Sequence, residues 1–283
     1  MLLQHREGHG TIHHMNLLES AREVVLAKID WWRIVGAQST IQWHMIRLGQ
    51  KLGLRGPDSW RVRPRQVRQV LTARLRGSSD LQVFFQIFVL EEYVTLRSLE
   101  NVSMVLDLGA NVGYSSAYFL NCFPQARVLA VEPDKQNMES CRANLKPYGD
   151  RVTFLHGAVW SNRTTLSFSQ KTTRNGAEWG RRTVQPPQGS AGEIEAWDMD
   201  SLIEIAGVDT VDLLKVDIEA AELAVFGETA KKWLPRVRNI CIELHGPDCQ
   251  ETFFNALADF EYELEHSGEL TICKNLHPRA VAH

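Results

Sequence analysis

The sequence predicts an α/β fold: a Rossmann-like, doubly wound and mostly parallel sheet, ending in an antiparallel hairpin and preceded by an α-helical N-terminal segment. Three observations carry that expectation. From about residue 81, continuous apolar strings alternate with amphipathic ones, the pattern of a parallel sheet covered on both faces by helices. The string "VLDLGANVGYSS" (105–116) runs from apolar residues into a turn bearing Gly109 and Gly113, then into small helix formers. The final stretch, "EYELEHSGELTICKNL", reads as two short strands around Ser267 and Gly268.

Taken in order, residues 15–52 read as helix, because "LLESAREVVLAKIDWW" places Leu18, Ala21, Val25, Ile29 and Trp32 three and four apart on one stripe. An arginine-rich run follows, from Arg55 through Arg61, Arg63, Arg65, Arg68 and Arg74 to Arg76, against a single Asp58. Without aromatic interleaving or a nucleic-acid motif it is expected to be a solvated helix face, the alternative being a contact to phosphate or an acidic ligand. Gly77, Ser78 and Ser79 suit a hinge. Beyond it come the strand strings "VSMVLDLG", "ARVLAVEP", "RVTFLHGAVW", "VDLLKVDIE" and "VRNICIELHG". Each leads into a helical string except the third, which opens a polar span over 169–195. The chain divides at about residue 80 into a helical accessory segment, 1–80, and a main domain, 81–283.

Composition sets limits. Of the 283 residues 44% are hydrophobic and 23% charged, an ordinary balance for a packed core. The net charge of −3 provides no whole-chain field toward nucleic acid. No apolar run approaches the ~20 residues of a membrane span, and no membrane partner is expected. The N-terminus, with four of the ten histidines in its first fourteen residues, lacks the apolar core of a secretory signal and reads as a tail. Five dispersed cysteines without a CxxC pair read as reduced thiols, hence a cytoplasmic protein.

The glycine turn is the first candidate site. Ligands of doubly wound sheets lie outside the carboxyl ends of the strands, where Asp107 falls. Gly109 permits a sharp turn, Gly113 a close helix, and Asn111 a left-handed backbone. The string G-A-N-V-G lacks the third glycine of the dinucleotide fingerprint. An acid before the turn suits a cationic end, such as an amino-acid ammonium met directly or through water. Glu132 closes the next strand, nineteen residues past Gly113, where a carboxylate accepts both ribose hydroxyls. Asp134 then caps a helix. A nucleoside carrying an amino acid meets both requirements, and S-adenosyl-L-methionine is such a molecule. The backbone of Ala158 and Val159 is the candidate for the adenine edge.

With those residues in view, "FFQIFVLEEY", "VLDLGANVGYSSAYFLNCFPQARVLAVEPD" and "DLLKVDIEAAE" together resemble the FkbM-like methyltransferases, over roughly residues 81–275. The resemblance implies the class I methyltransferase fold, S-adenosyl-L-methionine, and O-methylation of a sugar, polyketide or related natural product. Ala220 stands where the family's usual string has glycine, "DIEGAE".

Catalytic candidates lie at strand ends. Lys215 and Asp217 sit two apart on one side of the fourth strand, Lys215 as the partner that keeps a carboxylate ionised. Asp217 is a candidate catalyst, the alternative being a helix cap. Glu219 and Glu222 read as compensation of the helix dipole. Glu243 and His245 close the fifth strand; His245 is the best-placed proton acceptor, a structural histidine being the alternative. His156 is expected to be structural. No metal ligand is assigned, although Asp217 with Glu243 could hold a hard divalent cation. Arg174, Trp179, Arg181 and Arg182, in the polar span, could clamp an acidic or sugar-like substrate. The expected partner is a small hydroxylated acceptor. The competing readings are a non-catalytic methyltransferase-fold protein and, with only the arginine run in favour, a nucleic-acid methyltransferase.

Overall fold

The computed structural model describes residues 31–167, 193–218 and 221–280. The helix expected over 15–30, the four residues of the polar-span clamp, and Glu219 and Ala220 lie outside them. The described chain opens with helix α1 (Trp31–Lys51), which is broken at Gly36, where φ is 71°. The arginine-rich run does not continue as helix. It forms strands β1 (Ser59–Val62) and β2 (Leu71–Arg74), paired antiparallel. The physical reason is a period of two: Trp60 and Val62 on β1, and Leu71 and Ala73 on β2, point inward and are buried. Arg61 and Arg63 point out on the other face. Trp60 stacks between Trp43 of α1 and Phe84, at ring-centroid distances of 5.1 and 5.6 Å. The serine-rich stretch after β2 is pinned by Arg74, whose guanidinium donates to buried Asp80 (2.7 Å) and to Asn137 (2.7 Å).

After α2 (Asp80–Phe84) the alternating pattern begins. Its elements are β3 (Met104–Leu108), α3 (Tyr114–Cys122), β4 (Arg127–Glu132), α4 (Lys135–Leu145) and β5 (Val152–His156). The third strand string breaks at Gly157, and β6 (Ala158–Val159), β7 (Thr164–Ser167) and β8 (Glu193–Trp197) make a separate three-stranded sheet ordered β6-β8-β7. Helix α5 (Met199–Ala206), β9 (Leu213–Val216), α6 (Glu222–Val225), α7 (Ala230–Trp233), β10 (Ile240–Glu243) and α8 (Pro247–Ala256) follow. The C-terminal strands β11 (Phe260–Ser267) and β12 (Leu270–Pro278) form the expected hairpin, longer than the short strands read from sequence.

The main sheet has seven strands in the order β11-β12-β10-β9-β3-β4-β5. The five from β10 to β5 are parallel and the hairpin pairs antiparallel. From β3 the chain winds outward through β4 and β5, then returns to the other side through β9 and β10, so the order reverses between β3 and β9. In doubly wound sheets a ligand binds outside the strand ends at such a switch point. Each face of the sheet carries its own apolar core. Val105, Leu213 and Cys241 meet Tyr114, Tyr118 and Phe88 on one side; Leu106, Leu214 and Ile242 meet Phe226, Trp233 and Phe253 on the other. Continuous burial of β3 on both faces explains its unalternated sequence. No helix among the described residues is long and apolar enough to cross a membrane.

Candidate active site

The turn after β3 is built by backbone conformation. Gly109, Asn111 and Gly113 have φ of 76°, 50° and 84°, left-handed values that glycine and asparagine adopt most readily. Gly109 is required twice over, because a side chain there would collide with the carbonyl oxygen of Asp217 at 1.8 Å. The face of this glycine is therefore covered by the exit of β9. Gly113 caps α3 and packs against Cys141 and Leu145 of α4, so the helix it admits is α4.

Glu132 stands at the tip of β4 with its carboxylate fixed by two backbone donors: Asn111 N–H to Oε2 (2.8 Å) and Asp134 N–H to Oε1 (2.9 Å). It is 5% exposed, and burial pushes its carboxyl up to about 7, the two N–H donors pulling the other way. Asp134 caps α4, accepting from Asn137 N–H at 2.8 Å. Gly157 donates to the Glu132 carbonyl (3.2 Å), which sets Ala158 and Val159 just beyond this strand tip. Both are buried and pair with Ala196 and Trp197 of β8. His156 lies beside Pro133, its Nε2 3.0 Å from that carbonyl, consistent with a structural place.

Asp107 requires a correction. Its carboxylate lies beneath the turn, fully buried, with Oδ2 accepting from Ser115 (2.7 Å) and Ser116 (2.6 Å). It offers no exposed surface to an ammonium; its geometry locks the first turn of α3 onto β3. Oδ1 lies 3.3 Å from Lys215 Nζ in an ion pair that lacks hydrogen-bond alignment. Asn111 Oδ1 is a second buried acceptor in this turn without a partner.

Lys215 joins this turn to the next pair of strands. It sits opposite Asp107 in the β3–β9 register and donates to the Gly109 carbonyl at 2.7 Å. Its Nζ is 3.6 Å from Asp217 Oδ2. Burial pulls the ammonium down, but Asp107 and Asp217 outweigh it and hold the group charged. Asp217 N–H bonds the Leu108 carbonyl (3.0 Å), and α6 is capped by Ala221, so the reading of Asp217 as a helix cap falls away.

His245 lies just past β10, among carboxylates. Its Nδ1 is 2.9 Å from Oε1 of Glu222, a fully buried carboxylate. Its Nε2 is 3.6 Å from Glu243 and 4.0 Å from Asp217. With Nδ1–H donating to Glu222, Nε2 is the ring nitrogen that faces Glu243 and Asp217. Burial and then Asp217 push the Glu243 carboxyl up to about 7, with His245 opposing. Glu92 is raised to about 7 by burial, then by Glu269 and Asp217. One ligand atom each from Asp217, Glu243 and His245 lies within 4.8 Å of the others, a spacing that a hard divalent cation could bridge.

The structure thus gathers Asp217, Glu243 and His245, and separately Gly109, Asn111 and Glu132. Sequence reasoning missed Glu222 as the anchor of His245. Its position in the first turn of α6 is real, but its partner lies 23 residues away, just past the end of β10, which no local pattern reports. It also missed Glu92 and Glu269, which reach the site from opposite ends of the domain; only the string "LEEY" hinted at the first.

Fold and strand order define a class I methyltransferase architecture. Comparison with known proteins then places the chain: it matches the methyltransferase FkbM domain over residues 107–267, more than half its length, and belongs to that family. The 2-O-methyltransferase NoeI of Sinorhizobium fredii is 26% identical over 161 residues, 52% of this chain and 65% of NoeI. The antimetabolite synthetase AmbE of Pseudomonas aeruginosa is 29% identical over 177 residues, 50% of this chain but 8% of AmbE. Less than two thirds of either relative is therefore spanned. The methyltransferase sdnD of Sordaria araneosa is 23% identical over 198 residues, covering 59% of this chain and 76% of sdnD. A solved methyltransferase from Geobacter sulfurreducens shares 14% identity over 92% of this chain and 98% of its own, with a TM-score of 0.40.

Proposed function

We propose that the protein is an S-adenosyl-L-methionine-dependent O-methyltransferase acting on a small, hydroxyl-rich acceptor. One observation carries this reading. Along a single sheet edge, a carboxylate held by two backbone donors (Glu132) and an imidazole held by a buried carboxylate (His245 on Glu222) flank a left-handed turn.

The residues present fit the cofactor. Glu132 has lone pairs left for two ribose hydroxyls beyond the two backbone donors it already accepts. When bound, the cofactor supplies an activated methyl group on a sulfonium. The chain's own residues then have two tasks. Alignment of nucleophile and methyl is worth ~7–11 kcal/mol of barrier, and the turn and Lys215 hold the floor against which that alignment is set. The acceptor's hydroxyl proton needs a destination, and His245 Nε2 is the acceptor for it. The imidazolium so formed rests between Glu222, Asp217 and Glu243. A positioned base of this kind contributes ~10²–10⁴-fold.

The acceptor side is assigned to the carboxyl cluster of Glu92, Asp217, Glu243 and Glu269, whose members act on one another electrostatically. Such a cluster accepts hydrogen bonds from several hydroxyls and repels a phosphate backbone, which favours a sugar-like acceptor over nucleic acid. NoeI, named a 2-O-methyltransferase, is consistent with transfer to oxygen. The test is a panel of hydroxylated acceptors with methyl-labelled cofactor, read by product mass, in the presence and absence of EDTA. A labelled methyl ether formed equally in both is expected. Label on nitrogen or carbon contradicts the proposal, and activity lost to EDTA and restored by Mg²⁺ transfers deprotonation from His245 to a bound metal.

A further inference from the structure

The arginine-rich segment and the outer face of α1 have no part in methyl transfer. Residues 31–80 carry ten lysines and arginines against two acids, a surplus of eight, while the whole chain carries −3, so the remainder carries −11. Nine of those ten basic side chains are exposed. Both acids are engaged, Asp80 by Arg74 and Asp58 by Arg76. On α1, Ile41, Met45, Leu48 and Leu52 recur at spacings of four, three and four, and each is between 51% and 66% exposed. The helical bond from Leu52 N–H to the Leu48 carbonyl keeps the last of them on the stripe. The stripe runs about 16 Å along the helix, on the side away from the buried Val35, Ser39 and Ile46. Beside it opens a cleft of about 360 Å³, bordered by Gln38, Ser39 and Gln42 of α1, by Arg61 of β1 and by Arg63 just after it.

The geometry points to this face as a docking surface for an anionic phospholipid bilayer, the aliphatic ridge entering the acyl boundary and Arg61 and Arg63 receiving headgroup phosphate. A convex apolar ridge bordered by cations suits a deformable acyl–headgroup boundary. A second copy of the chain is disfavoured, because two such faces would each bring Arg61 and Arg63, from a segment with a basic surplus, against the other's. The sequence offered no membrane partner because it has no spanning run; lying on a surface requires none. This inference stands apart from the proposed methyl transfer and survives its failure.

Co-sedimentation of the full chain with phosphatidylcholine vesicles, with and without about one third phosphatidylglycerol, tests it. Partition into the anionic vesicles at least about tenfold stronger than into the neutral ones, and weakening with salt, is expected. The variants I41Q/M45Q/L48Q/L52Q and R61Q/R63Q should each lose about tenfold or more while keeping the wild-type thermal unfolding midpoint, which reports an intact fold. No preference for anionic vesicles overturns the proposal, as does undiminished binding by both variants. A wild-type dimer that the quadruple variant dissolves, without vesicle binding, assigns the face to a second copy. Binding to soluble polyglutamate but not to vesicles assigns it to an acidic protein. Either of these also overturns the proposal.

Discussion

The two sides of the switch point manage charge by different means. On the β4 side, backbone does the holding: two N–H groups fix Glu132, and three left-handed residues shape the turn. On the β9–β10 side, side chains hold one another: Lys215 between Asp107 and Asp217, His245 against Glu222, with Glu243 and Glu92 crowded alongside. The first arrangement is rigid and suits a cofactor of fixed shape. The second is electrostatically tense and suits chemistry in which a proton moves. The two meet where the Asp217 carbonyl covers Gly109.

The sharpest way to break the comparison is His245→Ala. Turnover should fall ~10²–10⁴-fold with cofactor affinity nearly unchanged, measured by single-turnover kinetics beside calorimetry. Equal losses in both would make His245 structural and erase the difference between the two sides.

Lys215→Met comes next, because it strands Asp107 in the interior without its cation. Loss of one partner of a buried pair costs about 3–5 kcal/mol, read as a lower denaturant midpoint. A midpoint within error of wild type would show that Ser115 and Ser116 alone satisfy Asp107.

Glu222→Gln keeps the shape but removes the charge that holds Nδ1–H. A fall in turnover of about tenfold or more is expected, with the rising limb of the pH–rate profile displaced and the cofactor affinity kept. An unmoved profile would return Glu222 to the helix-dipole role that its position first suggested.

The smallest effect sharpens the β4 side. Glu132 is raised from the usual carboxylate range to about 7 by burial, so between those limits the folded protein keeps a proton that the unfolded chain releases. Its contribution to stability is therefore present at low pH and lost as pH rises toward 7. Ribose hydroxyls donate to the ionised form, so binding expels that proton. Adenosine, which lacks an ammonium, should bind about tenfold more weakly at pH 6 than at pH 8. A flat profile would mean that Glu132 is already ionised or does not face the ribose.

The same contrast explains what the sequence disclosed. The turn and Glu132 were legible because their geometry is local: glycine spacing, a strand tip, a cap at Asp134. The parallel sheet followed from continuous apolar strings such as that of β3. Strands β1 and β2 were hidden because arginines at alternate positions drew attention to charge, while the buried partners Trp60, Val62, Leu71 and Ala73 marked the period of two. Asp107 looked like a ligand contact because its burial under Ser115 and Ser116 is decided by α3 folding back over it. Glu222, Glu92 and Glu269 stayed out of view because tertiary folding alone brings them to His245 and Asp217.

The account depends on an adenosyl group seated between the turn and Glu132. Calorimetric titration with S-adenosylhomocysteine, for the wild type and Glu132→Ala, tests that most directly. One-site binding by the wild type, weakened at least about tenfold in the variant as a charged acceptor is lost, is the predicted result. No binding by the wild type, or equal affinity in both proteins, would contradict it.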